Sequence, residues 1–281
     1  MKVTVLIENT PVEGLQCEHG LSLYITCGKG KYLLDAGSSG AFLENAKRLG
    51  IRPDDVDACI LSHGHYDHGG GFEAYLKAYP ESRVYAMENA REACFSTSGG
   101  ALHEISVPGQ VWTYGRQLLF VREVTQIGKE VYLIPHSTPG LGQVGKRAGL
   151  YRKKNGELLP DDFSHELSLV FDTEAGLVVF NSCSHSGVSP ILAEVKAALP
   201  GRKLLAFVGG LHMKGKRDGQ EICMFSGDEV EKLADALRRE GLRWLYTGHC
   251  TGEAGYELLQ SFLGDRVQRL VTGRTFCLPD S

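Results

Sequence analysis

Long apolar runs, a strong net charge and closely spaced cysteine pairs are all missing from this 281-residue sequence. The N-terminal apolar stretch, Val3 to Ile7, is too short for a signal peptide, and no later run approaches the roughly 18 apolar residues of a membrane span. The 30 Lys and Arg residues against 34 Asp and Glu give a net charge of -4, which provides no positive field for a nucleic acid. We therefore expect a cytoplasmic protein with neither a nucleic-acid nor a membrane partner.

The eight cysteines are scattered along the chain and include no C-x-x-C pair, which excludes a structural zinc knuckle and is typical of reduced thiols. No Pro/Ser/Gly-rich tract, charge block or fixed-period repeat separates two halves of the sequence. We therefore predict a single domain over residues 1–281. The sequence leaves the oligomeric state open.

Short β-branched or aromatic runs alternate with helical stretches, and the pattern predicts an α/β fold. Helix starts are indicated by the capping box Ser226-x-x-Glu229 and by Ser189 directly before a proline. Early strands joined by tight turns, followed by strand–helix alternation, predict two mixed β-sheets packed face to face with helices outside, a four-layer arrangement. The predicted strands are Val3–Asn9, Leu21–Cys27, Lys31–Asp35, Ala58–Ser62, Arg83–Met87, Leu118–Val124, Val131–Ile134, Leu167–Thr173, Leu177–Phe180, Lys203–Val208 and Arg243–Tyr246.

Three histidines and an aspartate crowd together directly after an apolar strand, at His63, His65, Asp67 and His68. Imidazole and carboxylate groups are ligands for Zn²⁺, Mn²⁺ or Fe. Alternation in an extended segment puts the first two histidines on one side, and the following turn brings the aspartate and third histidine to a neighbouring point. The pattern predicts one or two adjacent divalent metal ions, and the glycines at 69–71 predict close approach of the backbone.

This H-x-H-x-D-H motif resembles the signature of the metallo-β-lactamase superfamily and matches it at every position. Asp35, at the end of an early strand, resembles the aspartate that supports the metal site of that family. Thr247-Gly-His249 likewise resembles the segment with its last metal ligand. The resemblance implies an αββα sandwich with a metal centre at one edge, between the sheets.

Further segments are similar to the branch of the superfamily named for dihydropterin-methyl-aminobenzene-ribosyl-phosphate synthase. They are Glu18-His19-Gly20-Leu21-Ser22, the segment from Gly176 to Gly187, Gly209-Gly-Leu-His212-Met and His249-Cys250-Thr251-Gly252. The resemblance implies membership of this branch and leaves the reaction to be decided by the site.

The sequence departs from the superfamily pattern at one histidine ligand and at the aspartate that bridges two metal ions. The run Leu177–Phe180 is followed by Asn181-Ser-Cys183-Ser-His185, which contains no Asp. This strand-end position favours His185 as the ligand that completes the first histidine set, and Cys183 stands near the missing carboxylate. His136 is the alternative, since its segment is similar to the family's H-T-P-G-H but lacks the second histidine.

Several other side chains are candidates for supporting the metal ligands or contacting the substrate. We expect Asp35 to accept a hydrogen bond behind a ligand or to form a strand-end turn, with direct binding of the metal as the alternative. His212 follows two glycines at a strand end and is expected to contact the substrate or transfer a proton, with a hydrogen-bonded structural role as the alternative. His19 is a weaker candidate for substrate contact or for support of the metal ligands. Cys183 and Cys250 could touch a metal ion or support its ligands, but packing in the core is the favoured role for both.

Two further sets of residues are compatible with a functional role and also with a purely structural or surface role. The cations Lys214, Lys216 and Arg217 fit an anionic substrate as well as they fit a solvated loop. His103 and His165 are expected to be surface or structural residues. The irregular region 90–164 is predicted to cover the metal edge and to set the size of a small-molecule substrate.

One or two divalent ions, with Zn²⁺ first and Mn²⁺ or Fe as alternatives, would lower the pKa of bound water from about 15.7 towards 7. In this mechanism Asp67 orients the resulting hydroxide for attack on an ester or phosphoester, and His212 protonates the leaving group. We therefore predict a metal-dependent hydrolase of a small ester or phosphorylated metabolite. The alternatives are a synthase that condenses a pterin diphosphate with a ribosyl-aminobenzene phosphate, and a ligand sensor that has lost turnover.

Overall fold

The computed structural model describes residues 1–217 and 219–279. Its strands, in chain order, are β1 (Lys2–Ile7), β2 (Ser22–Cys27), β3 (Gly30–Leu34), β4 (Ala58–Ile60), β5 (Val84–Met87), β6 (Cys94–Ser96), β7 (His103–Glu104), β8 (Leu118–Val121), β9 (Thr125–Gly128), β10 (Val131–Pro135), β11 (Leu150–Lys154), β12 (Glu157–Pro160), β13 (Leu167–Thr173), β14 (Gly176–Phe180), β15 (Leu204–Val208), β16 (Lys214–Arg217), β17 (Gln220–Cys223), β18 (Trp244–Thr247), β19 (Val267–Arg269) and β20 (Thr275–Cys277). The α-helices are α1 (Ala41–Arg48), α2 (Tyr66–Gly69), α3 (Phe72–Ala78), α4 (Gly142–Ala148), α5 (Val188–Ala198), α6 (Gly227–Arg239) and α7 (Gly252–Leu263).

Two large mixed sheets form the centre of the fold. The first has the strand order β20-β1-β2-β3-β4-β5-β8, and the second has the order β19-β18-β15-β14-β13-β10-β9. In the first sheet β3, β4, β5 and β8 are parallel, and in the second β14, β15, β18 and β19 are parallel. Each sheet thus combines an antiparallel half with a parallel half whose crossovers need helices.

Three buried clusters show how the layers stack. One cluster joins inward-facing side chains of the two sheets, with Val5, Leu23 and Ile60 from the first sheet beside Leu169 and Phe180 from the second. A second cluster packs the outer face of the second sheet against α5, α6 and α7, and a third packs the first sheet against α1 and α3. The order of layers is helix, sheet, sheet, helix, which confirms the predicted αββα sandwich.

The parallel strands fix the location of a site. Carboxyl ends of parallel strands lie at one edge of a sheet, and the connections that leave them meet in a crevice there. In the first sheet β3 and β4 end directly before Asp35 and the segment with His63, and in the second β14, β15 and β18 end before Cys183, His212 and His249. Packing the two sheets face to face brings these connections together.

All the predicted strands are present, with ends that differ by a few residues, and most of the unpredicted ones are short or lie at edges. Within the region 90–164, β8, β9 and β10 belong to the large sheets, while β6, β7, β11 and β12 form a small separate sheet. The predicted capping box is confirmed, since the Ser226 side chain accepts the Glu229 amide and the Glu229 side chain accepts the Ser226 amide. The prediction that Ser189 caps α5 is wrong, because α5 already begins at Val188, after Gly187.

The stretch after His212 forms a β-strand, which the sequence analysis did not predict. Lys214 to Arg217 form β16, which pairs with β17, and the Lys214 ammonium lies 3.0 Å from Glu221 Oε2. A solvated loop therefore does not describe this segment. None of the helices in the described ranges has the length and hydrophobicity needed to cross a bilayer.

The close backbone approach predicted for the glycines at 69–71 is confirmed. A Cβ atom added to Gly71 would lie 2.1 Å from the Ala36 carbonyl oxygen, and one on Gly70 would lie 2.2 Å from the Ser38 carbonyl oxygen. Both contacts are with backbone, which cannot move aside as a side chain can. The turn after β3 and the start of α3 therefore press directly on each other.

We expect Gly71→Ala to lower the free energy of unfolding by about 2 kcal/mol or more, because the added methyl group overpacks this contact. Gly115→Ala is the matched control, since a Cβ at Gly115 meets nothing within 4 Å among the described atoms. The control should change the free energy by no more than about 0.5 kcal/mol. Urea denaturation of both variants measures the difference, and equal effects would contradict the packing argument.

Candidate metal centre

Asp35 organises the first sheet's contribution to the site. It is fully buried and has a left-handed backbone, with φ 60°. Its Oδ1 accepts the Ser62 amide at 2.8 Å, and its Oδ2 accepts the Ser62 hydroxyl at 2.7 Å and lies 2.7 Å from His68 Nδ1. Because the carboxylate can only accept, His68 donates from Nδ1 and presents Nε2 to the site.

The rings of His63, His65 and His185 form a compact triangle. Their centroids are 4.6 Å apart for the first pair and 4.8 Å apart for each pair that includes His185. The Ser62 hydroxyl already donates to Asp35, so it accepts from His63 Nδ1 at 2.8 Å and leaves the lone pair of that ring on Nε2. Within residues 1–217 and 219–279, His63 Nε2, His65 Nε2 and both ring nitrogens of His185 have no hydrogen-bond partner, although all are buried.

A second group of side chains lies around the Asp67 carboxylate. Its Oδ2 is 3.3 Å from His249 Nε2, 3.5 Å from His68 Nε2 and 3.3 Å from His19 Nε2. The two buried imidazoles also face each other, with 3.1 Å between His68 Nε2 and His249 Nε2. His19 is half-exposed, so it stands at the solvent side of the group.

Residues after β1 hold His249 in place. The Glu8 carboxylate accepts the His249 amide at 2.7 Å, and Asn9 Oδ1 lies 3.0 Å from His249 Nδ1. This arrangement directs Nε2 of His249 towards the aspartate. The backbone of His249 has φ 51°, a left-handed conformation that surrounding contacts must maintain.

Cys183 lies between the two groups. Its Sγ is 3.2 Å from His68 Nε2, and the thiol is 3% exposed. Cys183 is within ligand-atom spacing of 4.8 Å of His63 and His185 on one side, and of His68 and His249 on the other. The side chain therefore touches both halves of the centre.

Burial and charge set the protonation of these groups. Burial, reinforced by neighbouring imidazoles, keeps the pKa of His63 and of His185 well below its usual value, and burial lowers the pKa of His65 to about 3. For His68 burial opposes the charge, but the carboxylates of Asp67 and Asp35 raise its pKa to about 9. The triangle thus consists of neutral imidazoles with lone pairs, while the Asp67 carboxylate lies beside a positively charged His68 imidazole.

The loop that carries His185 is held by Glu166 and Phe163. The Glu166 carboxylate accepts the amides of His185 and Ser186, each at 2.9 Å. The Phe163 ring stacks on the His185 ring, with 5.2 Å between centroids and an interplanar angle of 13°. His212 completes this side, with its ring centroid 4.3 Å from that of His185 and its buried Nδ1 unpartnered among the described residues.

His136 is engaged elsewhere. Its Nδ1 lies 2.6 Å from Glu194 Oε2, and its Nε2 lies 2.8 Å from Ser168 Oγ. Both ring nitrogens therefore have partners. The geometry brings His185, and not His136, to the other histidines.

His165 is fully buried beneath the triangle and is not a surface residue. The Gly64 amide donates to His165 Nδ1 at 3.0 Å, and His165 Nε2 donates to Asp161 Oδ2, also at 3.0 Å. Together with Cys94 and His65, this pair forms another group of closely spaced ligand-type atoms. His103, by contrast, is exposed.

Four contributors to the centre were missed from the sequence: Glu8, Asn9, Asp161 and Phe163. The direction of β1 could have located the first two, since β1 is antiparallel to β2 and therefore ends at the same edge as β3. The other two belong to a loop whose path no motif predicts.

The donor set fits a divalent metal. Buried imidazole nitrogens without partners are costly, and a cation that accepts their lone pairs removes that cost. Three neutral imidazoles suit one ion, and the adjacent carboxylate, imidazoles and thiol suit a second. The groups are compact enough for both, since the ring centroids of the first lie 4.6 to 4.8 Å apart and the facing nitrogen and oxygen atoms of the second lie 3.1 to 3.5 Å apart.

Comparisons with known proteins agree with this fold and site. Residues 16–149 match the family model of the metallo-β-lactamase superfamily. The crystal structure of Tm1679, a metal-dependent hydrolase of the β-lactamase superfamily, superposes with a TM-score of 0.81 at 29% identity over all of both chains. The chain has the metallo-β-lactamase fold and is similar to a member of that superfamily over its whole length.

A curated relative carries the name of the branch that the sequence resembles. The chain is 26% identical to the 7,8-dihydropterin-6-methyl-4-(β-D-ribofuranosyl)-aminobenzene-5'-phosphate synthase of Methanocaldococcus jannaschii, over 92% of this chain and 89% of the relative. Zn²⁺-bound PqqB from Methylobacterium extorquens has the same fold, with a TM-score of 0.60 and 14% identity over 99% of this chain and 100% of that one.

Glu166→Ala should lower the free energy of unfolding by about 2 to 4 kcal/mol, because it leaves the buried amides of His185 and Ser186 without an acceptor. Glu166→Gln keeps one acceptor oxygen and should cost less. Glu174→Ala, at an exposed turn, is the control and should change stability by no more than about 0.5 kcal/mol. Chemical denaturation gives the ranking, and a Glu166→Ala variant as stable as the control would contradict the assigned role.

Proposed function

We propose that this protein is a metal-dependent hydrolase of a small ester or phosphorylated metabolite. The observation that carries the proposal is the set of buried, neutral imidazoles whose nitrogens have no partner in the described chain and converge beside a carboxylate. A structural histidine cluster would satisfy its nitrogens internally, as His136 and His165 do.

In this proposal His63, His65 and His185 hold one ion, while Asp67, His68 and His249 hold a second. The ion is Zn²⁺, with Mn²⁺ and Fe as the alternatives for nitrogen and oxygen ligands. Bound divalent ions would make water acidic enough to ionise near neutral pH and would stabilise negative charge on the attacked group.

The chain's own residues then position and exchange protons. Asp67 Oδ2 is directed to the centre of the second group, where it can accept a hydrogen bond from the attacking water. The centroid of the His212 ring lies 4.3 Å from that of the His185 ring, with Nδ1 free to donate a proton to the leaving oxygen or to hold an anionic one. Asp35, Glu8 and Asn9 fix the imidazoles that surround these two groups.

Region 90–164 is proposed to cover the substrate. Val144 and Arg147 of its helix α4, and Leu141 directly before that helix, line the same cavity as His185 and His212. Specificity for the substrate would therefore come from this region and not from the metal ligands.

A condensation of the synthase type is the second candidate function. It is favoured by the similarity to the Methanocaldococcus jannaschii synthase, which extends over 92% of this chain. A divalent ion that assists departure of a diphosphate would use the same donor groups.

Purified protein of known metal content should be assayed on aryl esters, phosphodiesters and phosphomonoesters, and on a pterin diphosphate with an aminobenzene ribosyl phosphate. Turnover of a hydrolysable substrate that disappears with chelation supports the first function. Condensation without hydrolysis would replace it with the second, and metal binding without any turnover would leave a sensor.

His185→Ala should lower metal occupancy and hydrolysis far more than His136→Ala, because only His185 offers unpartnered nitrogens to the other ligands. A direct ligand contributes more than the supporting residues whose loss typically costs about 10- to 100-fold in metal affinity. His63→Ala combined with His65→Ala should abolish binding while circular dichroism still reports the folded state. Plasma emission spectrometry measures the metal, and the opposite ranking of His185 and His136 would show that the wrong histidine was assigned.

A further inference from the structure

We propose that Cys183 is a metal ligand shared by the two ion positions, in the place where this sequence has no aspartate. The inference concerns the composition of the centre and does not depend on which reaction the protein catalyses. Its basis is the position of one sulfur atom relative to four histidines.

The Cys183 sulfur faces ligand nitrogens. Its Sγ lies 3.2 Å from His68 Nε2, the atom that the hydrogen bond from Nδ1 to Asp35 leaves free. The same thiol groups with His63 and His185, and again with His68 and His249, each set within 4.8 Å. No other residue in the described part of the chain belongs to both sets.

The backbone directs this side chain to the centre. Cys183 follows β14 by three residues, and the next residue, Ser184, has φ 54°. The Ser184 amide is held by Asn181 Oδ1 at 2.7 Å, and its hydroxyl donates to the Gly210 carbonyl at 2.8 Å. This tight turn presents Cys183 and His185 to the same space.

Coordination explains the arrangement better than packing of a neutral thiol. A thiol that fills space lies against apolar atoms, as Cys59 does within the core of the first sheet. Cys183 instead lies against an imidazole nitrogen, where a thiolate would bind a cation. On metal binding the thiol releases its proton to solvent, and the sulfur donates to both ions. Asp67 and Cys183 would then supply two negative charges against the divalent ions.

Cys250 provides a matched comparison. It is also buried and lies close by, but its sulfur accepts the His212 amide at 3.3 Å. It belongs to none of the ligand groups found among the described residues. Cys94, in the group with Asp161 and His165, is the second thiol that needs testing.

The test uses cobalt-substituted protein, because a thiolate bound to Co²⁺ gives an intense charge-transfer band that imidazole and carboxylate ligands do not give. Wild-type protein titrated with Co²⁺ should show this band, and Cys183→Ser should lose it. The Cys183→Ser variant should also bind the second ion more weakly by at least about tenfold, as measured by calorimetric titration. Cys250→Ser and Cys94→Ser should retain the band.

Each result bears on the proposal. A band that persists in Cys183→Ser, or that disappears only in Cys94→Ser, would overturn it. Cobalt binding with no charge-transfer band in the wild type would overturn it as well. Because circular dichroism and cobalt stoichiometry are recorded on every variant, loss of the band through unfolding is distinguished from loss of the ligand. Absence of enzymatic turnover would affect the proposed function alone.

A cavity of about 630 Å³ opens beside His185 and His212. Apolar side chains from several elements form most of its wall: Leu141, Val144, Ala148, Val188, Pro190, Leu211, Met224, Phe225 and Leu233. Val144 is 42% exposed, so an apolar surface is open to whatever enters. The cavity connects the metal-side histidines with the N-terminal half of α6.

The cavity has few charged groups, and only some of them form ion pairs. Arg147 donates to Glu229 at 2.8 Å, and its guanidinium lies 5.7 Å from the centre of the Phe225 ring. Lys232, one turn further along α6, has no ion-pair partner within 1–217 and 219–279. One cation therefore has no ion-pair partner among the described residues, on a wall that is mostly apolar.

We infer that this cavity binds a ring-sized apolar body that carries one anionic group near Lys232. This inference rests on the proposed function for the identity of the occupant as substrate. The reacting bond would lie beside His185 and His212, and the apolar body would fill the space between α4 and α6. Burial of apolar surface would supply the affinity, and Lys232 would select for negative charge.

Binding is measured with two fluorescent probes that differ in one group: 1-anilinonaphthalene-8-sulfonate, which is anionic, and N-phenyl-1-naphthylamine, which is neutral. Val144→Trp should fill the cavity and weaken the binding of both probes by about tenfold or more. Val124→Trp, a 47% exposed valine outside the cavity, is the control and should change neither. Lys232→Gln should weaken only the anionic probe, by about two- to fivefold, while the exposed Lys77→Gln changes neither.

Probe binding that is unaffected by Val144→Trp, or reduced equally by Val124→Trp, would overturn the cavity proposal. Equal effects of Lys232→Gln on the two probes would overturn the role of the charge. The measurement requires no turnover, so a protein that binds the probes and hydrolyses nothing would contradict the proposed function and leave this inference standing.

Discussion

The buried carboxylate of Asp35 is the constraint on which the centre depends. A carboxylate with no exposure is tolerated only when donors surround it, and here the Ser62 amide, the Ser62 hydroxyl and His68 Nδ1 supply them. Through these bonds one side chain ties the end of β3 to the end of β4 and to α2. It also orients both neighbouring histidines. The Ser62 hydroxyl donates to Asp35 and therefore accepts a hydrogen bond from His63 Nδ1. One aspartate therefore directs the Nε2 atoms of two imidazoles to the site.

The centre is divided between the sheets. The first sheet supplies His63, His65, Asp67 and His68, and the second supplies Cys183, His185, His212 and His249. Neither half is a complete ligand set, so the donor atoms meet only when the sheets pack through their shared core. Metal binding and sheet packing are consequently coupled, and any ion bound by both halves adds to the stability of the folded state. The left-handed backbone at Asp35, Ser184, His212 and His249 shows where that packing holds the chain in conformations it would otherwise avoid.

Prediction from the sequence was most accurate for contacts between residues that are close together in the chain. The H-x-H-x-D-H segment was predictable because its four side chains are neighbours in the chain, and the spacing alone places them together. The assignments at Asp35 and His249 needed one more physical rule, that parallel strands end at a common edge. Glu8 and Asn9 reach His249 across 241 and 240 positions of sequence, and no local pattern announces such a contact. The start of α5 shows the complementary error, since a favourable Ser-Pro start was overridden by Gly187, which lets the helix begin earlier.

A thiolate in the shared position would alter the chemistry of the centre without altering its charge. Carboxylate and thiolate each contribute one negative charge, but sulfur is a softer donor and favours Zn²⁺ and Fe over Mn²⁺. The three neutral imidazoles of His63, His65 and His185 favour the same metals, because nitrogen ligands also suit Zn²⁺ and Fe better than Mn²⁺. Only Asp67 contributes hard oxygen to the two groups. The residues that distinguish this chain from the general superfamily pattern therefore narrow the choice of metal more than the H-x-H-x-D-H motif does, since that motif is compatible with all three ions.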